Sequence, residues 1–344
     1  MCPLDNRIVK ILIDHPNPFL LTHGGFQIQI EQTQTAIRGN GVDVEALRWW
    51  DDSQGADVIH YFGRPGPGYI ESAHKKQIRV VISPLLSAMG SRSKGLLWIQ
   101  RLVTRGGLWG LPSMLTAPFG WNSFRLADAC IANTPWEAHL MSYMFGVLPR
   151  KVHVVPNGIE EVFARSQPVA RGPWLICTAT ITERKRVLEL ARAAVQAQTP
   201  VWIVGKPYSE RDPYALEFIA LARKHPELIR YEGPIQDRET LAQAYRQARG
   251  FVLISTRETL SLSSFEAAAC QCPMLLSDLP WARTTFKDTV HYCPIDSVTR
   301  TARHLREFYD AAPDLKPDIR PKSWVQIGEE FKKVYEKVLS QNEI

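Results

Sequence analysis

The sequence predicts an α/β protein of two doubly wound domains, followed by one helix that returns to the first domain. Three observations predict this. The chain has 344 residues, too many for one typical core and enough for two. Short apolar runs rich in β-branched residues alternate with amphipathic stretches in both halves, the pattern of parallel strands covered by helices. Residues 165–173 carry two prolines, a glycine and few large apolar groups, which suits a linker. The expected domains are 1–165, 166–322 and a returning helix over 323–344.

In the first half, Val9 to Ile13 is a short buried strand. His15, Pro16 and Pro18 follow, then Leu20 to Gly25 as a loop, and a helical pattern from Phe26 to Arg38 that stops at Gly39. Strands are expected at Val42–Leu47, Asp57–Tyr61, Ile78–Ile82 (closed by Pro84), around Cys130 and Ile131, and at Val152–Val155. Thr134-Pro135-Trp136-Glu137 reads as a helix start, with Thr134 as N-cap, proline at the first position and Glu137 completing a capping box. Pro156-Asn157-Gly158 closes the half with a turn, for which Asn157 and Gly158 offer positive φ.

The second half repeats the alternation without a sequence repeat. Its strands are expected at Trp174–Thr178, Val201–Val204, Leu228–Glu232, Phe251–Ile254 and Met274–Leu276, with helices near 185–197, 212–224, 237–247 and 264–270. From Trp324 to Leu339, Trp324, Ile327, Phe331, Val334, Tyr335 and Val338 share one helical face that must be buried.

Composition narrows the function. The hydrophobic fraction is 45% and the charged fraction 22%, ordinary for a folded chain. The net charge of +6 suits a phosphorylated ligand, an anionic membrane or nucleic acid alike. Its distribution is uneven: nine Lys or Arg residues lie between Arg64 and Arg125, against the single acid Glu71. No nucleic-acid-binding module accompanies this charge. The six cysteines show neither a disulfide framework nor zinc spacing, and Cys270/Cys272 are one residue too close for a Cys-x-x-Cys site, so free thiols in a reducing cytosol are expected. The apolar run at the start is too short and interrupted for a signal peptide, and no stretch of 18 apolar residues suggests a spanning helix.

The strongest local signal is Glu258 to Pro273, ETLSLSSFEAAACQCP, after the strand Phe251–Ile254. Ser255 to Ser263 reads as a loop and Phe265 onward as a helix. Free amides at a helix start suit a diphosphate. Glu258 and Glu266 flank the loop, and a carboxylate is a bidentate acceptor for vicinal hydroxyls. An ordinary helix start with two solvated glutamates is the plainer alternative. Thr178 to Arg186, TATITERKR, follows the first strand of this half.

At these residues the chain resembles glycosyltransferase family 4, the retaining enzymes of GT-B fold with two Rossmann-like domains facing across a cleft. The family carries two glutamates separated by seven residues, then a small-residue helix and a proline; here they are Glu258, Glu266, Ala267, Ala268 and Pro273. The resemblance implies that Glu258 contacts the donor sugar near the reacting carbon and that Glu266 holds the ribose hydroxyls. It places the backbone of Thr259, Leu260, Ser261 and Leu262 over sugar and phosphates. Lys185 falls on the family's phosphate-clamping lysine and Thr180 on its arginine, with Arg184 or Arg186 as substitutes; packing or solvation is the alternative for each. Val154 to Ile159 with Phe163 resembles the family's hinge segment. Gly205-Lys206 stands where the family has Gly-x-Gly, and a plain strand end is the alternative there. His23-Gly24-Gly25 matches its Gly-Gly loop, with donor or acceptor atoms near Gly24 and Gly25 and His23 a loop residue or an acceptor contact.

The sequence departs from the family at Thr180, at Ser261 (usually glycine), at Gln271-Cys272 and after Ile82, where Ser83-Pro84 replaces a common histidine. The donor half matches best and 85–125 least. There, Arg92, Lys94, Arg101 and Arg105 interleave with Leu96, Leu97, Trp98, Ile99, Leu102 and Trp109. That mixture suits an anionic membrane surface or a lipid-linked acceptor; a helix packed in the cleft with solvated cations is the other reading.

The expected activity is same-face transfer of a hexose-type sugar from a UDP- or GDP-sugar to a hydroxyl of a glycan, lipid-linked or small-molecule acceptor. The catalytic residues are Lys185 and Glu258. No cofactor is expected, and no metal, because no Asp-x-Asp motif appears. The expected location is cytoplasmic, with peripheral contact at the inner membrane surface as an extension. A degenerate nucleotide-sugar-binding protein of the same fold is the alternative, and no nucleic acid partner is expected.

Overall fold

The first element is β1 (Lys10–Asp14), buried throughout except at its first residue. The chain then forms α1 (Gly25–Gly39), β2 (Asp43–Ala46), β3 (Val58–Phe62), α2 (Pro67–Lys75) and β4 (Arg79–Ser83). The long α3 (Lys94–Gly110), the short α4 (Ser113–Thr116) and α5 (Ser123–Leu126), β5 (Ala129–Ala132), α6 (Pro135–Phe145) and β6 (Val152–Val154) follow. This is a computed structural model that describes residues 9–16, 18–19, 24–86, 89–165, 169–315 and 317–340. The six strands are all parallel, in the order β2-β1-β3-β4-β5-β6. Such a sheet needs helices on both faces, so its central strands read as continuous apolar runs such as VIHYF in β3.

Residue Glu137 of α6 shows why the sequence folds locally as it does. Thr134 caps the helix by accepting from the Glu137 amide, and Glu137 reaches back to accept from the amide of Asn133 at 2.7 Å. Its other oxygen accepts from the Leu86 amide at 2.6 Å, so the capping box also holds the loop after β4. Such a cap contributes roughly 1 kcal/mol.

Residues up to Gly158 and those from Ser323 onward form one compact unit; Ile159–Lys322 forms the other. The division precedes the expected linker, of which 166–168 lie outside the described residues. The reason is α7 (Glu161–Ala164), whose Phe163 is fully buried in the second unit, edge-on to Tyr245. Neither Asn157 nor Gly158 has the positive φ expected of the turn. Gly158 is needed for close approach instead: a Cβ there would meet the Trp324 backbone at 2.7 Å.

The second unit continues with β7 (Leu175–Thr178), α8 (Val187–Ala197), β8 (Val201–Val204), α9 (Pro213–Lys224) and β9 (Ile229–Tyr231). Then come α10 (Arg238–Gln247), β10 (Gly250–Leu253), α11 (Leu262–Ala269), β11 (Met274–Ser277), α12 (Pro280–Phe286), β12 (His291–Cys293) and α13 (Val298–Ala311). Its parallel order is β12-β11-β10-β7-β8-β9. The chain winds outward from β7 in one direction and from β10 in the other, so the topological switch lies between these neighbours.

The last helix, α14 (Trp324–Ser340), buries the expected apolar face in the first unit. Asn40, the C-cap of α1, donates to the Val325 carbonyl at 3.1 Å. The Tyr335 hydroxyl meets Nδ1 of His60 at 2.8 Å, and Nε2 of His60 meets the Ser83 hydroxyl at 2.8 Å. Burial pushes the His60 imidazole down to about 3, so this chain of bonds is uncharged.

Candidate functional site

The carboxyl ends of β7 and β10 bring two loops together at the switch point. After β7, Thr182 caps a single 3₁₀ turn, Glu183–Lys185, and Arg186 takes a left-handed backbone (φ 55) before α8 starts. After β10, the loop 254–261 leads into α11. One atom pins the loops to each other. The Arg184 carbonyl accepts from the Thr256 amide at 2.9 Å and from the hydroxyls of Ser255 and Thr256, both at 3.2 Å.

That junction sets Lys185 against Glu258. The Lys185 Nζ lies 2.5 Å from Oε1 of Glu258, and Arg184 Nη1 donates to the same oxygen at 3.1 Å. Glu258 is buried, which opposes its ionisation, but Lys185 and Arg184 outweigh this and hold its carboxyl below the ordinary range. The carboxylate is therefore ionised beside two cations. A lysine has three donors, so Nζ retains capacity for phosphate oxygens while it holds Glu258.

Glu266 is held separately on α11. Its Oε1 accepts from Arg238 at 2.5 Å, and its Oε2 accepts from the Tyr245 hydroxyl at 3.0 Å. The Tyr245 oxygen in turn lies 2.5 Å from the Thr178 hydroxyl at the end of β7. Burial and the neighbouring Glu266 push the Tyr245 phenol well up, so it stays protonated and donates. Arg238 also reaches Glu160 at 2.6 Å, and its guanidinium lies over the Phe163 ring at 4.7 Å. Glu266 thus has fixed orientation and spare lone pairs on both oxygens.

The helix carrying Glu266 begins at Leu262, earlier than the sequence reading places it. The reason is Ser261, which acts as N-cap by accepting from the Ser264 amide. Leu260 is buried in the core beneath, and Thr259 is half-buried between Glu258 and that cap. The Ser264 hydroxyl is buried with no partner among the described residues, as is Nε of Arg186.

Thr180 is half-buried in the loop after β7. Beside it, Gly205 at the end of β8 has φ 153, and a Cβ there would lie 2.0 Å from the Ala179 carbonyl oxygen. Only glycine lets the two strand ends meet so closely. Lys185, Glu258, Glu266, Thr180 and Gly205 therefore share the carboxyl edge of one sheet. Gly24 (φ 123) and Gly25 start α1 in the other unit, after β1. His23 lies outside the described residues.

Sequence reasoning passed over Arg238, Tyr245 and Thr178, and left Arg184 no better than an alternative to Arg186. Arg184 is the one that joins Lys185 on Glu258. Arg238 and Tyr245 stand seven residues apart on α10, two turns along one face, which is the signal that could have found them. A cavity of about 700 Å³ in the same unit is elsewhere: Cys270 and Gln271, at the far end of α11, line it with Arg171 and Arg246. Arg171 is spent there on carbonyls of Tyr245, Arg246, Ala248 and Gln271. The five described cysteines are free and buried, and burial raises Cys270 and Cys272 to about 12.

Comparison with known proteins places this arrangement. A family model described as Glycosyltransferase Family 4 matches residues 36–162, and one described as Glycosyl transferases group 1 matches 172–311. The D-inositol 3-phosphate glycosyltransferase of Actinosynnema mirum is 25% identical over 333 residues, covering 78% of this chain and 79% of that protein. The enzyme of the same description from Nocardiopsis dassonvillei is 31% identical over 187 residues, which span 48% of this chain and under half, 43%, of that relative. In fold the chain is similar to sucrose-phosphate synthase from Thermosynechococcus elongatus (TM-score 0.67, 16% identity, 97% and 100% of the two chains). It is also similar to Anabaena HepE in complex with UDP (TM-score 0.63, 13% identity, 96% and 100%).

The class so defined is a glycosyltransferase of GT-B fold. The chain belongs to glycosyltransferase family 4.

Proposed function

We propose that this chain transfers a hexose-type sugar from a nucleotide-diphosphate sugar to a hydroxyl acceptor with retention at the anomeric carbon. The observation that carries the reading is Lys185 meeting ionised Glu258 at the switch between β7 and β10. In that crevice a diphosphate meets the Lys185 ammonium and the amides at the start of α11. Glu266, oriented by Arg238 and Tyr245, accepts the ribose hydroxyls. Glu258 lies against the donor sugar, Thr259 to Leu262 lie over sugar and phosphates, and Gly205 leaves room near the base. Gly24 and Gly25 give close backbone approach on the acceptor side.

In the transfer, the bond between the anomeric carbon and the phosphate oxygen breaks as the acceptor oxygen attacks the same face. The acceptor proton passes to the departing phosphate oxygen. Lys185 stabilises the charge that grows there, and Arg184 supplies a second cation near the place where Thr180 replaces the family's arginine. No metal is assigned to the diphosphate, consistent with the lack of an Asp-x-Asp motif in the sequence.

UDP in the HepE structure favours a uridine donor, with a GDP-sugar as the other candidate. The D-inositol 3-phosphate glycosyltransferase relatives favour a polyol acceptor; a glycan or lipid-linked acceptor, with peripheral contact at an anionic membrane, fits the basic first unit. No helix among the described residues is long and apolar enough to cross a membrane. Free buried thiols support a cytoplasmic setting.

A second reading, a nucleotide-sugar-binding protein without turnover, is favoured by Thr180, by the glycines missing at Ser261 and after Gly205, and by Ser83-Pro84 in place of a histidine. Calorimetry and hydrolysis assays over a panel of UDP- and GDP-sugars separate the two. Binding with slow donor hydrolysis supports transfer, binding without hydrolysis or transfer supports the second reading, and no binding defeats both.

A further inference from the structure

Surface helices of folded proteins turn a charged face outward; α3 does the opposite. Its buried positions are Leu97, Thr104 and Gly107. Arg105 donates to the Ser142 and Tyr143 carbonyls of α6, and Arg101 stacks over the Tyr143 ring at 4.5 Å, fastening the helix from that side. At about 100° per residue, the outward arc of roughly 160° holds Leu96, Trp98, Ile99, Leu102, Val103 and Trp109 with three glycines, and no charge at all. All six of these apolar side chains are exposed, Trp98 at 54% and Trp109 at 94%. Leu111, Leu115 and Phe119, which follow the helix in the chain, are exposed as well.

The charge around this face has one sign. From Ser72 to Ala127 the chain contains no Asp or Glu, while eight Lys or Arg residues fall in the same stretch. Lys94, Arg101 and Arg105 run along one border of the apolar arc. Burial first, and then the neighbouring charges of Arg101 and Arg125, press the Arg105 guanidinium downward.

We infer that the outward face of α3 is a docking surface for an anionic lipid bilayer, lying flat at the boundary of headgroups and acyl chains. Tryptophan and leucine enter the boundary while lysine and arginine meet the lipid phosphates, the division of labour of a helix that lies in a membrane surface. A second copy of this chain would bring the same cations against this border, so like charges oppose self-association. This border offers cations alone, which complements anionic headgroups. The inference deepens the reading of a membrane-held acceptor and rests on that reading for its purpose, but its test is independent of unit-two chemistry.

The experiment is flotation of the full chain with vesicles of phosphatidylcholine, with or without phosphatidylglycerol. The chain is expected to float with the anionic vesicles, less so at high salt, and weakly with phosphatidylcholine alone. The double variant Trp98→Glu/Leu102→Glu should reduce the bound fraction about tenfold or more, and Lys94→Gln about threefold to fivefold. Both changes are on solvent-facing positions, and unchanged circular dichroism with unchanged UDP-sugar affinity checks the fold and the donor site. Failure to float with anionic vesicles overturns the inference, as does a double variant that floats like the parent. So does a parent dimer in light scattering that the double variant abolishes, because the face then serves self-association. None of these outcomes touches the donor reading, which fails only if nucleotide sugars do not bind.

Discussion

The two sheets share one plan and end in opposite chemistry. Each is six parallel strands with a switch point. At the carboxyl edge of the second sheet, Glu258 and Glu266 are each clamped by cations, Lys185 and Arg184 on one and Arg238 on the other. In the first unit, among the described residues, the buried Asp14, Gln29, His60 and Glu137 meet no cation; Asp14, at the end of β1, accepts from the Tyr69 hydroxyl at 2.6 Å and the Trp49 indole at 3.2 Å. His60 is neutral between Tyr335 and Ser83, Gln29 donates to Asn133 at 3.2 Å, and Glu137 has two amides. The difference teaches that the doubly wound plan provides a place and the loop residues decide its charge. The second unit sets its buried glutamates against cations; the first holds its buried polar groups with neutral donors.

Removing the cation should break this contrast most sharply. In the proposed transfer Lys185→Ala takes away the leading charge at the departing phosphate, and it is expected to cut turnover about 10²- to 10³-fold, roughly 3 to 4 kcal/mol. Donor affinity should fall much less. Single-turnover transfer measured beside calorimetry checks the split, and an unchanged rate removes Lys185 from the chemistry. The next effect belongs to Glu266→Ala. On the proposed reading the ribose loses its carboxylate acceptor, and of its two carboxylate partners Arg238 keeps only Glu160. Nucleotide-sugar affinity should drop about tenfold to a hundredfold, near 2 kcal/mol. Equal affinity in the variant would detach Glu266 from the donor.

Much of the second unit's edge was legible because its signals are local. Glu258, Glu266 and the serines between them lie within one strand-to-helix passage, and Lys185 lies within another. What holds them was not legible. Arg238 lies 28 residues before Glu266, and Arg184 lies 74 before Glu258, so neither contact leaves a periodic trace. The start of α11 was misplaced because Ser261, Ser263 and Ser264 are all plausible caps by composition, and geometry selects Ser261. β12 went unseen because it is three residues long with His291 exposed at the sheet edge. α13 went unseen because its buried Thr301, Ala302, Leu305 and Phe308 are diluted among charges. In the first unit the capping box at Thr134 was readable, but not that Glu137 would also take the Leu86 amide 51 residues away.

Glu137 gives the smallest effect and the finest test of the contrast. Burial raises its carboxyl to about 7, against the downward pull of the Leu86 and Asn133 amides. Glu258, also buried, is held low chiefly because Lys185 and Arg184 face it, with the Ser255 hydroxyl adding to them. In the unfolded chain a glutamate titrates near about 4.3. Between that value and 7 the folded protein binds more protons than the unfolded one, so stability falls as pH rises through this window. The contribution is fully present below the unfolded value and gone above the folded one. From pH 6 to pH 8 the loss is about 1 kcal/mol. Glu137→Gln should flatten that slope, since the amide does not ionise, while costing some stability at every pH through the acceptor it gives up. Thermal unfolding of both proteins across pH 6 to 8 reads the difference directly. If parent and variant lose stability in parallel, Glu137 is ionised throughout, and the absence of facing cations does not separate the two sheet edges in the way their geometry says.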